Sequence, residues 1–458
     1  MFLLFLIFTQ CIASIEMVET FCLFPHSPKQ LRVALRGQNG VTVSWRTSGS
    51  FGSNDTPQPQ VEFGTDSSLS VKTDSPIGTT TNYNKRSFFH NVALLNLSSS
   101  TTYYYRIKSA SCVRESGIHS FKTPPAPGNQ SSTSISIVGD LGNNNLINLG
   151  APSRTIKALQ AAASTTDFFI HSGDIAYADD YNLGLPLEFY EQAWNKFQNN
   201  VESITANNFY MVAPGNHEVT CFQLGDVFCL SNAYRNFSAY ANRFRMPGDE
   251  SGGYKNLWYS FDYGLAHVVV INTETDFPDA PAGPGTTLNG GNFVGVQGQL
   301  DWLHADLQAA VANRAQVPWI IVTGHRPFFG SLPKLPALPG NCDSCRLAFQ
   351  PIFLQYNVDF YFAGHVHWYE RLYSITSTDG TFTQDYSDPN GVIHITNGAG
   401  GGPEGAAKLK TGIDSSAKIV SGYGYTKLDL QDASKAKITF VNSKSLQEDD
   451  SIVVVRQH

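Results

Sequence analysis

The chain has 458 residues, of which 41% are hydrophobic and 15% charged, and its formal net charge is −7. This length exceeds a single typical core, so we expect two or three domains. The acidic balance and the absence of basic runs argue against nucleic acid as a partner, because binding a phosphate backbone requires clustered Lys and Arg. Any phosphate that the chain binds must be met by something other than a broad basic surface.

The chain opens with a short apolar segment, "MFLLFLIFTQCIAS", whose apolar run extends from Phe2 to Phe8. Small residues at Cys11 and Ala13 suit a signal peptidase, and the segment is too short to cross a bilayer. We therefore interpret residues 1–13 as a cleaved signal peptide, although an early positive charge is missing. No later segment offers 18 uninterrupted apolar residues. These features predict a protein without a membrane span that is secreted or delivered to the lysosomal lumen.

Six cysteines follow the predicted signal peptide, an even number that suits disulfide pairing in an oxidising compartment. Local spacing favours two pairs, Cys221 with Cys229 and Cys342 with Cys345. This leaves Cys22 and Cys112 as a third pair in the N-terminal part, although six cysteines allow other connectivities. A redox role for "CDSC" is the alternative for the second pair. No cysteine indicates an intermolecular bond, so we expect a monomer or a non-covalent homodimer. Four glycosylation triplets fit an exported glycoprotein: Asn54, Asn96, Asn129 and Asn236.

Residues 24–124 consist of short segments in which apolar and polar residues alternate. Examples are "LRVAL", "VTVSW", "QVEFG", "FFHNVALL" and "TTYYYRIKS". Turn signals recur between them and no helical period appears, which predicts an antiparallel β-sandwich. The arrangement resembles a fibronectin type III-like domain, and a sandwich of another topology is the alternative. The Pro, Gly and Ser-rich stretch "KTPPAPGNQSSTS" marks a boundary near residue 125, across which we expect few contacts.

Residues 132–455 have a different texture, because apolar runs that end in Gly or a polar residue alternate with helical segments. The runs include "SISIVGD", "DFFIHSGD", "FYMVAPGNHE", "PWIIVTGH" and "VDFYFAGH". The helical segments include "SRTIKALQAAAS" and "QLDWLHADLQAAVANR", and the second has one apolar stripe: Leu300, Leu303, Leu307 and Val311. Such alternation predicts an α/β layer with buried strands, closed by the C-terminal strands "SKAKITF" and "DSIVVVRQ".

Five of the apolar runs end in residues that can bind a metal ion: Asp140, Asp174, the pair Asn216 and His217, His325, and His365 with His367. In open α/β sheets, ligands bind beyond the carboxyl ends of the strands. Each residue alone has an ordinary explanation as a cap, a turn former or a hydrogen-bonded strand end. Their occurrence together favours a binuclear metal site. Strand alternation would place both histidines of "HVH" on one face, and a tight turn could direct Tyr177 to the same point.

The residue types suit two metal ions. A carboxylate can bridge two cations about 3.5 to 4 Å apart, which is the separation that two-metal hydrolases use. Imidazole suits Zn and Fe, while carboxylate and phenolate oxygens suit a hard ion such as ferric iron. Two ions would supply the positive charge that the acidic surface lacks, polarise a phosphoryl oxygen and lower the pKa of a bound water.

The order "GDLG", "GDIAYAD", "GNHE", "TGHRP" and "GHVHWYER" resembles the five-block signature of the calcineurin-like metallophosphoesterases. The Tyr of the second block, the "YER" ending and the preceding β-domain resemble the two-domain purple acid phosphatases. The resemblance covers nearly all of the mature chain. It implies an N-terminal all-β fibronectin type III-like sandwich followed by an α/β metallophosphoesterase domain with a β-sandwich core flanked by helices.

The resemblance also implies a site. The implied ferric ligands are Asp140, Asp174, Tyr177 and His367. The implied ligands of a second ion (Zn, Mn or divalent Fe) are Asp174, Asn216, His325 and His365, with Asp174 as the bridge. His217 would contact the substrate phosphate and help to protonate or stabilise the leaving oxygen. The implied reaction is the hydrolysis of phosphate monoesters at acid pH by a metal-bound hydroxide, and the implied substrates are small phosphorylated molecules. Tyrosinate bound to ferric iron would colour the protein purple.

One departure from the family pattern bears on substrate recognition. Many plant members carry further substrate-facing histidines about ten residues after the fourth-block His, whereas no His lies between His325 and His365 here. Lys334 is the candidate replacement. Three alternative functions stay open: a phosphodiesterase or nucleotide hydrolase with the same metals, a non-catalytic binding protein, and a redox role for ferric iron beside phosphatase activity.

Overall fold

The computed structural model describes residues 26–49, 58–109, 113–180, 187–222, 229, 231–283, 285–291, 293, 298–332, 340–406 and 412–457. Four of the predictions above lie outside these residues. They are the signal peptide, the pairing of Cys22 with Cys112, the glycosylation triplet at Asn54 and the role of Lys334.

The N-terminal part consists of short strands. Those in the described residues are β1 (Lys29–Leu35), β2 (Val41–Ser48), β3 (Val61–Gly64), β4 (Thr73–Asp74), β5 (Thr79–Thr81), β6 (Ser87–Leu94), β7 (Thr102–Ile107) and β8 (His119–Lys122). In the second half of β6, His90, Val92 and Leu94 are buried and alternate with the partly exposed Asn91 and Ala93, as expected for a strand with one face on a core.

The rest of the chain mixes strands and helices. Its described strands are β9 (Thr133–Val138), β10 (Phe168–Ser172), β11 (Phe209–Ala213), β12 (Tyr259–Tyr263), β13 (Ala266–Val270), β14 (Trp319–Thr323), β15 (Phe360–Ala363), β16 (Tyr369–Ile375), β17 (Phe382–Thr383), β18 (Val392–Asn397), β19 (Ser416–Val420), β20 (Gly424–Leu430), β21 (Lys435–Asn442) and β22 (Glu448–Val455). Its described helices are α1 (Ala151–Ala162), α2 (Leu187–Thr205), α3 (Ser238–Arg243), α4 (Gly298–Ala312) and α5 (Asp343–Gln355), with short 3-10 segments at Ala163–Thr165, Asn216–Glu218 and Asn232–Tyr234.

The strands form three sheets. The largest has the order β22-β21-β20-β9-β10-β11-β1-β2-β6-β5, the second has the order β12-β13-β14-β15-β18-β16-β17 with β19 on β16, and the third has the order β4-β3-β7-β8. The strands β9, β10 and β11 run parallel, as do β13, β14, β15 and β18. All residues of β10 and β14 are buried, which explains their unbroken apolar sequences. The predicted fold class, an N-terminal β-domain followed by a mixed α/β sandwich, is confirmed.

The two parts of the chain share one sheet, so the expectation that few contacts cross the boundary is wrong. Strand β1 lies parallel to β11, with Val33 opposite Phe209. An uncovered β11 would expose unpaired backbone groups, and β1 covers that edge. The fully buried Arg243 also donates to Glu191 at 2.7 Å, and Glu191 accepts from Asn84 of the N-terminal part at 2.7 Å.

Two local predictions are confirmed and one needs correction. Disulfide bonds join Cys221 to Cys229 and Cys342 to Cys345. In α4, Leu303 and Leu307 are buried as the stripe predicts, but Val311 is 38% exposed. The buried face is formed by Gln299, Leu303, Leu307 and Ala310, and Val311 lies at its edge. Among the described helices, none combines the length and the apolar character that a bilayer crossing requires.

Candidate metal centre

The predicted site residues follow the carboxyl ends of strands from both large sheets. Asp140, Asp174 and Asn216 come shortly after β9, β10 and β11 of the first sheet, while His325 and His365 come shortly after β14 and β15 of the second. Hydrogen bonds join the two sets. The backbone N–H of His365 donates to Asp140 Oδ2 at 2.8 Å, and His325 Nδ1 lies 2.9 Å from the carbonyl oxygen of Ser172. The site therefore lies where the two sheets meet.

Four of the predicted ligands have left-handed backbone conformations. Their φ angles are +57° for Asp140, +51° for Asp174, +50° for Tyr177 and +68° for His365. Each such conformation costs a non-glycine residue roughly 1 to 2 kcal/mol, and strained residues of this kind cluster at functional sites. The surrounding contacts must hold these four residues in place.

The left-handed turn at His365 corrects one expectation. Strand β15 ends at Ala363, so His365 and His367 lie in the loop after it and not on one face of a strand. Their side chains have different partners. The ring of His365 lies 5.0 Å from the ring of His325, whereas His367 Nε2 lies 2.8 Å from the hydroxyl of Tyr177. The turn separates the two imidazoles, which strand alternation would have kept together.

Asp140, Tyr177 and His367 form the first group of candidate ligands. The Tyr177 hydroxyl donates to Asp140 Oδ1 at 3.1 Å, and His367 Nε2 lies 3.3 Å from the same oxygen. His367 Nδ1 lies 3.0 Å from the carbonyl oxygen of Gly405, which orients the ring so that Nε2 faces the group. The three potential ligand atoms, one from each residue, thus lie within hydrogen-bonding distance of one another.

Asp174, Asn216, His325 and His365 form the second group. His325 Nε2 lies 3.0 Å from Asp174 Oδ2 and 3.0 Å from Asn216 Oδ1. The potential ligand atoms of Asp174, His325 and His365 all lie within 4.8 Å of one another. The groups adjoin through the backbone, because the N–H of Asp140 donates to the carbonyl of Gly173 at 3.2 Å. The structure thus brings all seven predicted ligands to one place, while the bridging role of Asp174 stays a prediction.

The charges of the two groups fit cations. Asp140 and Asp174 are buried carboxylates. Burial lowers the pKa of His325, but Asp174 more than offsets this and raises that pKa to about 9. Burial likewise lowers the pKa of His367, and the hydrogen bond to Asp140 raises it above its ordinary value. Protons on these imidazoles balance the carboxylates, and metal ions compete with protons for the same nitrogens. This set of buried oxygen and nitrogen donors fits a binuclear metal centre.

His217 lies beside the two groups but has a partner of its own. Its Nδ1 is 2.9 Å from Asp179 Oδ1 and 3.1 Å from Oδ2, while its Nε2 is 3.8 Å from Asp174 Oδ2. Burial lowers the pKa of His217, but Asp179 and then Asp174 raise it well above the usual range. His217 also belongs to a second cluster that could hold an ion, with Asp179 and Asp180. Because Asp179 engages Nδ1, the nitrogen turned toward Asp174 is Nε2.

The sequence alone indicated no role for three supporting residues, although they lie in the motifs given above. Glu218 of "GNHE" accepts the backbone N–H groups of Asp174, Ile175 and Gly215, each at 2.9 Å. Asp179 of "GDIAYAD" orients His217 as described above. The third residue, Arg326 of "TGHRP", donates to Glu274 and to His365. The motifs contain these residues, but their roles depend on backbone groups that meet only in the fold.

Comparison with known families supports the same architecture. The chain matches the calcineurin-like phosphoesterase family over residues 133–369 and the purple acid phosphatase N-terminal domain over residues 28–123. Residues 391–453 match the family described as iron/zinc purple acid phosphatase-like protein C.

Individual relatives agree. Acid phosphatase A of Cryphonectria parasitica is 32% identical, with 94% of this chain and 92% of the relative covered, and human acid phosphatase type 7 is 30% identical, with 88% and 85% covered. The solved structure of the purple acid phosphatase PPD1 from yellow lupin seeds shares the fold with a TM-score of 0.72 at 23% identity, covering 95% of this chain and 76% of that one. The chain therefore belongs to the purple acid phosphatase family, a family of metallophosphoesterase hydrolases.

Proposed function

We propose that this acid phosphatase hydrolyses phosphate monoesters at acid pH, with a ferric ion and a divalent ion in the two groups of ligands. The observation that carries the proposal is the convergence of both buried groups beside His217, whose nearest carboxylate partner is Asp179 at 2.9 Å. Family membership supplies the reaction class, and the arrangement supports the division of roles.

The proposed ferric ligands are Asp140, Asp174, Tyr177 and His367. The proposed ligands of the divalent ion (Zn, Mn or Fe) are Asp174, Asn216, His325 and His365. When bound, the two ions supply positive charge for the phosphoryl oxygens and a nucleophile generated from water. Burial, followed by the charge of Asp140, raises the pKa of Tyr177 well above its ordinary value. A highly charged ion such as ferric iron is suited to binding that phenol as the tyrosinate.

His217 is the proposed general acid. Asp179 holds its Nδ1, so Nε2 is the nitrogen left to deliver a proton toward the centre. Burial lowers the pKa of His217, but Asp179 and Asp174 more than offset this and favour the protonated imidazole, which can donate to the leaving alkoxide oxygen. The Asp174 carboxyl group favours its ionised form in the same acid pH range. Burial raises its pKa, but His325 and His217 more than offset this and bring it below the ordinary value. An ionised Asp174 and a protonated His217 coexist at acid pH.

We also propose that the protein is secreted or resides in the lysosomal lumen. The support is the apolar segment at residues 1–13 together with the two disulfide bonds, which form in oxidising compartments. Expression of the full chain in eukaryotic cells tests this directly, because retention of an uncleaved, unglycosylated chain in the cytosol would contradict it.

The variant Asp174→Ala tests the catalytic proposal, with Asp262→Ala as the matched control. Asp262 pairs with His267 at 2.7 Å, away from both groups. Asp174→Ala should lose phosphatase activity on p-nitrophenyl phosphate and metal content together, while the control keeps both. Retention of activity and metal by Asp174→Ala would refute the mechanism. Turnover of bis(p-nitrophenyl) phosphate faster than the monoester would favour the phosphodiesterase alternative instead.

The visible spectrum tests the ferric assignment independently of turnover. A protein loaded with iron should show a charge-transfer band that disappears in Tyr177→Phe. Within the "HVH" loop, His367→Ala should weaken that band first, whereas His365→Ala should first lower the occupancy of the divalent site. A band that persists in Tyr177→Phe would show that another group colours the protein.

A further inference from the structure

Arg326 reaches the metal centre from the end of β14 and is held firmly there. Its backbone N–H donates to Thr273 Oγ1 at 3.0 Å, and its carbonyl oxygen accepts from the hydroxyl of Tyr361 at 2.7 Å. Its Nε lies 2.9 and 3.0 Å from the two carboxylate oxygens of Glu274. Glu274 is fully buried, and its own N–H donates to Asn272 Oδ1 at 2.8 Å. The guanidinium is therefore a pre-oriented group at the edge of the site.

The far end of this guanidinium contacts a candidate metal ligand. Arg326 Nη1 donates to His365 Nε2 at 3.0 Å. An imidazole that binds a metal ion is neutral at its metal-binding nitrogen, and its second nitrogen carries the proton. If Nε2 of His365 binds the ion, its lone pair is occupied. If Nδ1 binds the ion, Nε2 carries hydrogen. In both cases Nε2 of His365 has no free lone pair and can no longer accept from Arg326. The bond cannot reverse either, because a guanidinium has only donors.

With an ion bound to His365, Nη1 of Arg326 would lose this acceptor and would lie beside the proposed metal centre. The carboxylate of Glu274 balances the positive charge of the guanidinium, so Arg326 can stay near two cations. A phosphate oxygen is the acceptor that this position offers in the loaded protein, and the planar guanidinium suits phosphate better than a point charge does. No His lies between His325 and His365 in the sequence, so no imidazole from that stretch can supply this phosphate contact.

We propose that Arg326 binds the phosphate group of the substrate and that Glu274 is the positioning residue that directs it there. This inference rests on the proposed phosphatase function and adds a binding residue to it. Glu274 touches no substrate in this scheme, and it acts by fixing Nε so that Nη1 faces the centre.

The test is binding of inorganic phosphate to the metal-loaded protein, measured by calorimetry at acid pH with metal content determined on the same samples. Arg326→Gln should weaken phosphate binding about 10- to 100-fold at unchanged metal content, as expected for loss of charge-assisted hydrogen bonds. Glu274→Gln should weaken it less, by about 3- to 10-fold, and should raise KM for p-nitrophenyl phosphate more than it lowers kcat. The matched control is Arg346→Gln. Arg346 lies in α5 and donates to the backbone carbonyl of Thr378, so it has no part in the proposed phosphate site.

Each result decides the question. An Arg326→Gln protein with full metal content and unchanged phosphate affinity overturns the proposal, and so does one that loses metal while its loaded fraction binds phosphate normally, because both indicate only a structural role. If Arg326→Gln fails to fold, Arg326→Lys takes its place: the shorter contact should weaken phosphate binding about 5-fold, and wild-type affinity overturns the proposal. Failure of the proposed function shows separately, as a wild-type protein that binds metal and phosphate without hydrolysing p-nitrophenyl phosphate.

Discussion

Glu218 ties two loops of the metal centre together, and its removal should weaken both the fold and the metal site. Its carboxyl accepts three backbone N–H groups, those of Asp174, Ile175 and Gly215. In Glu218→Ala these buried donors lose their acceptor, at about 1 to 3 kcal/mol each. The expected loss is about 3 to 9 kcal/mol. Because Gly215 precedes Asn216 and Asp174 is a proposed bridge, both metal groups should loosen with it.

The glutamine variant provides a graded comparison. Burial, followed by the charge of Asp174, raises the pKa of Glu218 to about 8, so at pH 5 the metal-free protein has a neutral side chain at this position. Glu218→Gln then replaces one neutral group by another and leaves a single N–H without an acceptor, at about 1 to 3 kcal/mol. The alanine variant should therefore be the more damaging of the two.

Thermal unfolding of the metal-depleted protein at pH 5 measures these losses. An unfolding entropy of about 2.1 cal/mol/K per residue makes each kcal/mol worth about 1 °C in Tm for 458 residues. We expect Tm to fall by about 3 to 9 °C for Glu218→Ala and by about 1 to 3 °C for Glu218→Gln. The control is Glu202→Ala, because among the described residues the Glu202 carboxylate accepts a single backbone N–H, that of Leu31 at 3.2 Å. Equal Tm values for metal-depleted Glu218→Ala and the metal-depleted control, together with equal metal content after both are reloaded, would refute the reasoning.

Three further predictions concern pH, packing and the domain junction. Burial lowers the pKa of His267, but its two Asp partners more than offset this and raise the pKa from 6.5 to about 9. The contribution of protonated His267 to the free energy of unfolding is therefore complete below pH 6.5 and is lost as the pH rises through 9. At about 1.4 kcal/mol per pKa unit this amounts to about 3 kcal/mol, and the Tm gap between wild type and His267→Gln should vanish by pH 10. A Cβ at Gly364 would lie 2.4 Å from Asp140 Oδ2, so Gly364→Ala should lower iron content, whereas Gly117→Ala, with no atom within 4 Å, should not. Arg243→Met leaves the buried Glu191 carboxylate without its cationic partner, although Asn84 still donates to it. The variant should lose about 3 to 5 kcal/mol of unfolding free energy in chemical denaturation, and an unchanged midpoint would contradict this.

The local sequence was sufficient to predict the buried parallel strands and the residues beside them. Unbroken apolar runs such as "FFIHS" and "WIIVT" became buried parallel strands, because a strand covered on both faces needs apolar residues at every position. The polar residues after these runs came together because parallel strands end at one edge of a sheet. Both local disulfides were also predictable, since the chain between the cysteines is short.

The tertiary structure decided how these residues are oriented and what supports them. Tyr177 meets His367 across 190 positions of sequence, and the left-handed turn at His365 separates two histidines that strand alternation would have kept on one face. The pairing of β1 with β11 likewise replaced an expected loose boundary with a continuous sheet. Residue type and local period determine which segments become strands, whereas backbone conformation and contacts between distant strands depend on packing that no local pattern encodes.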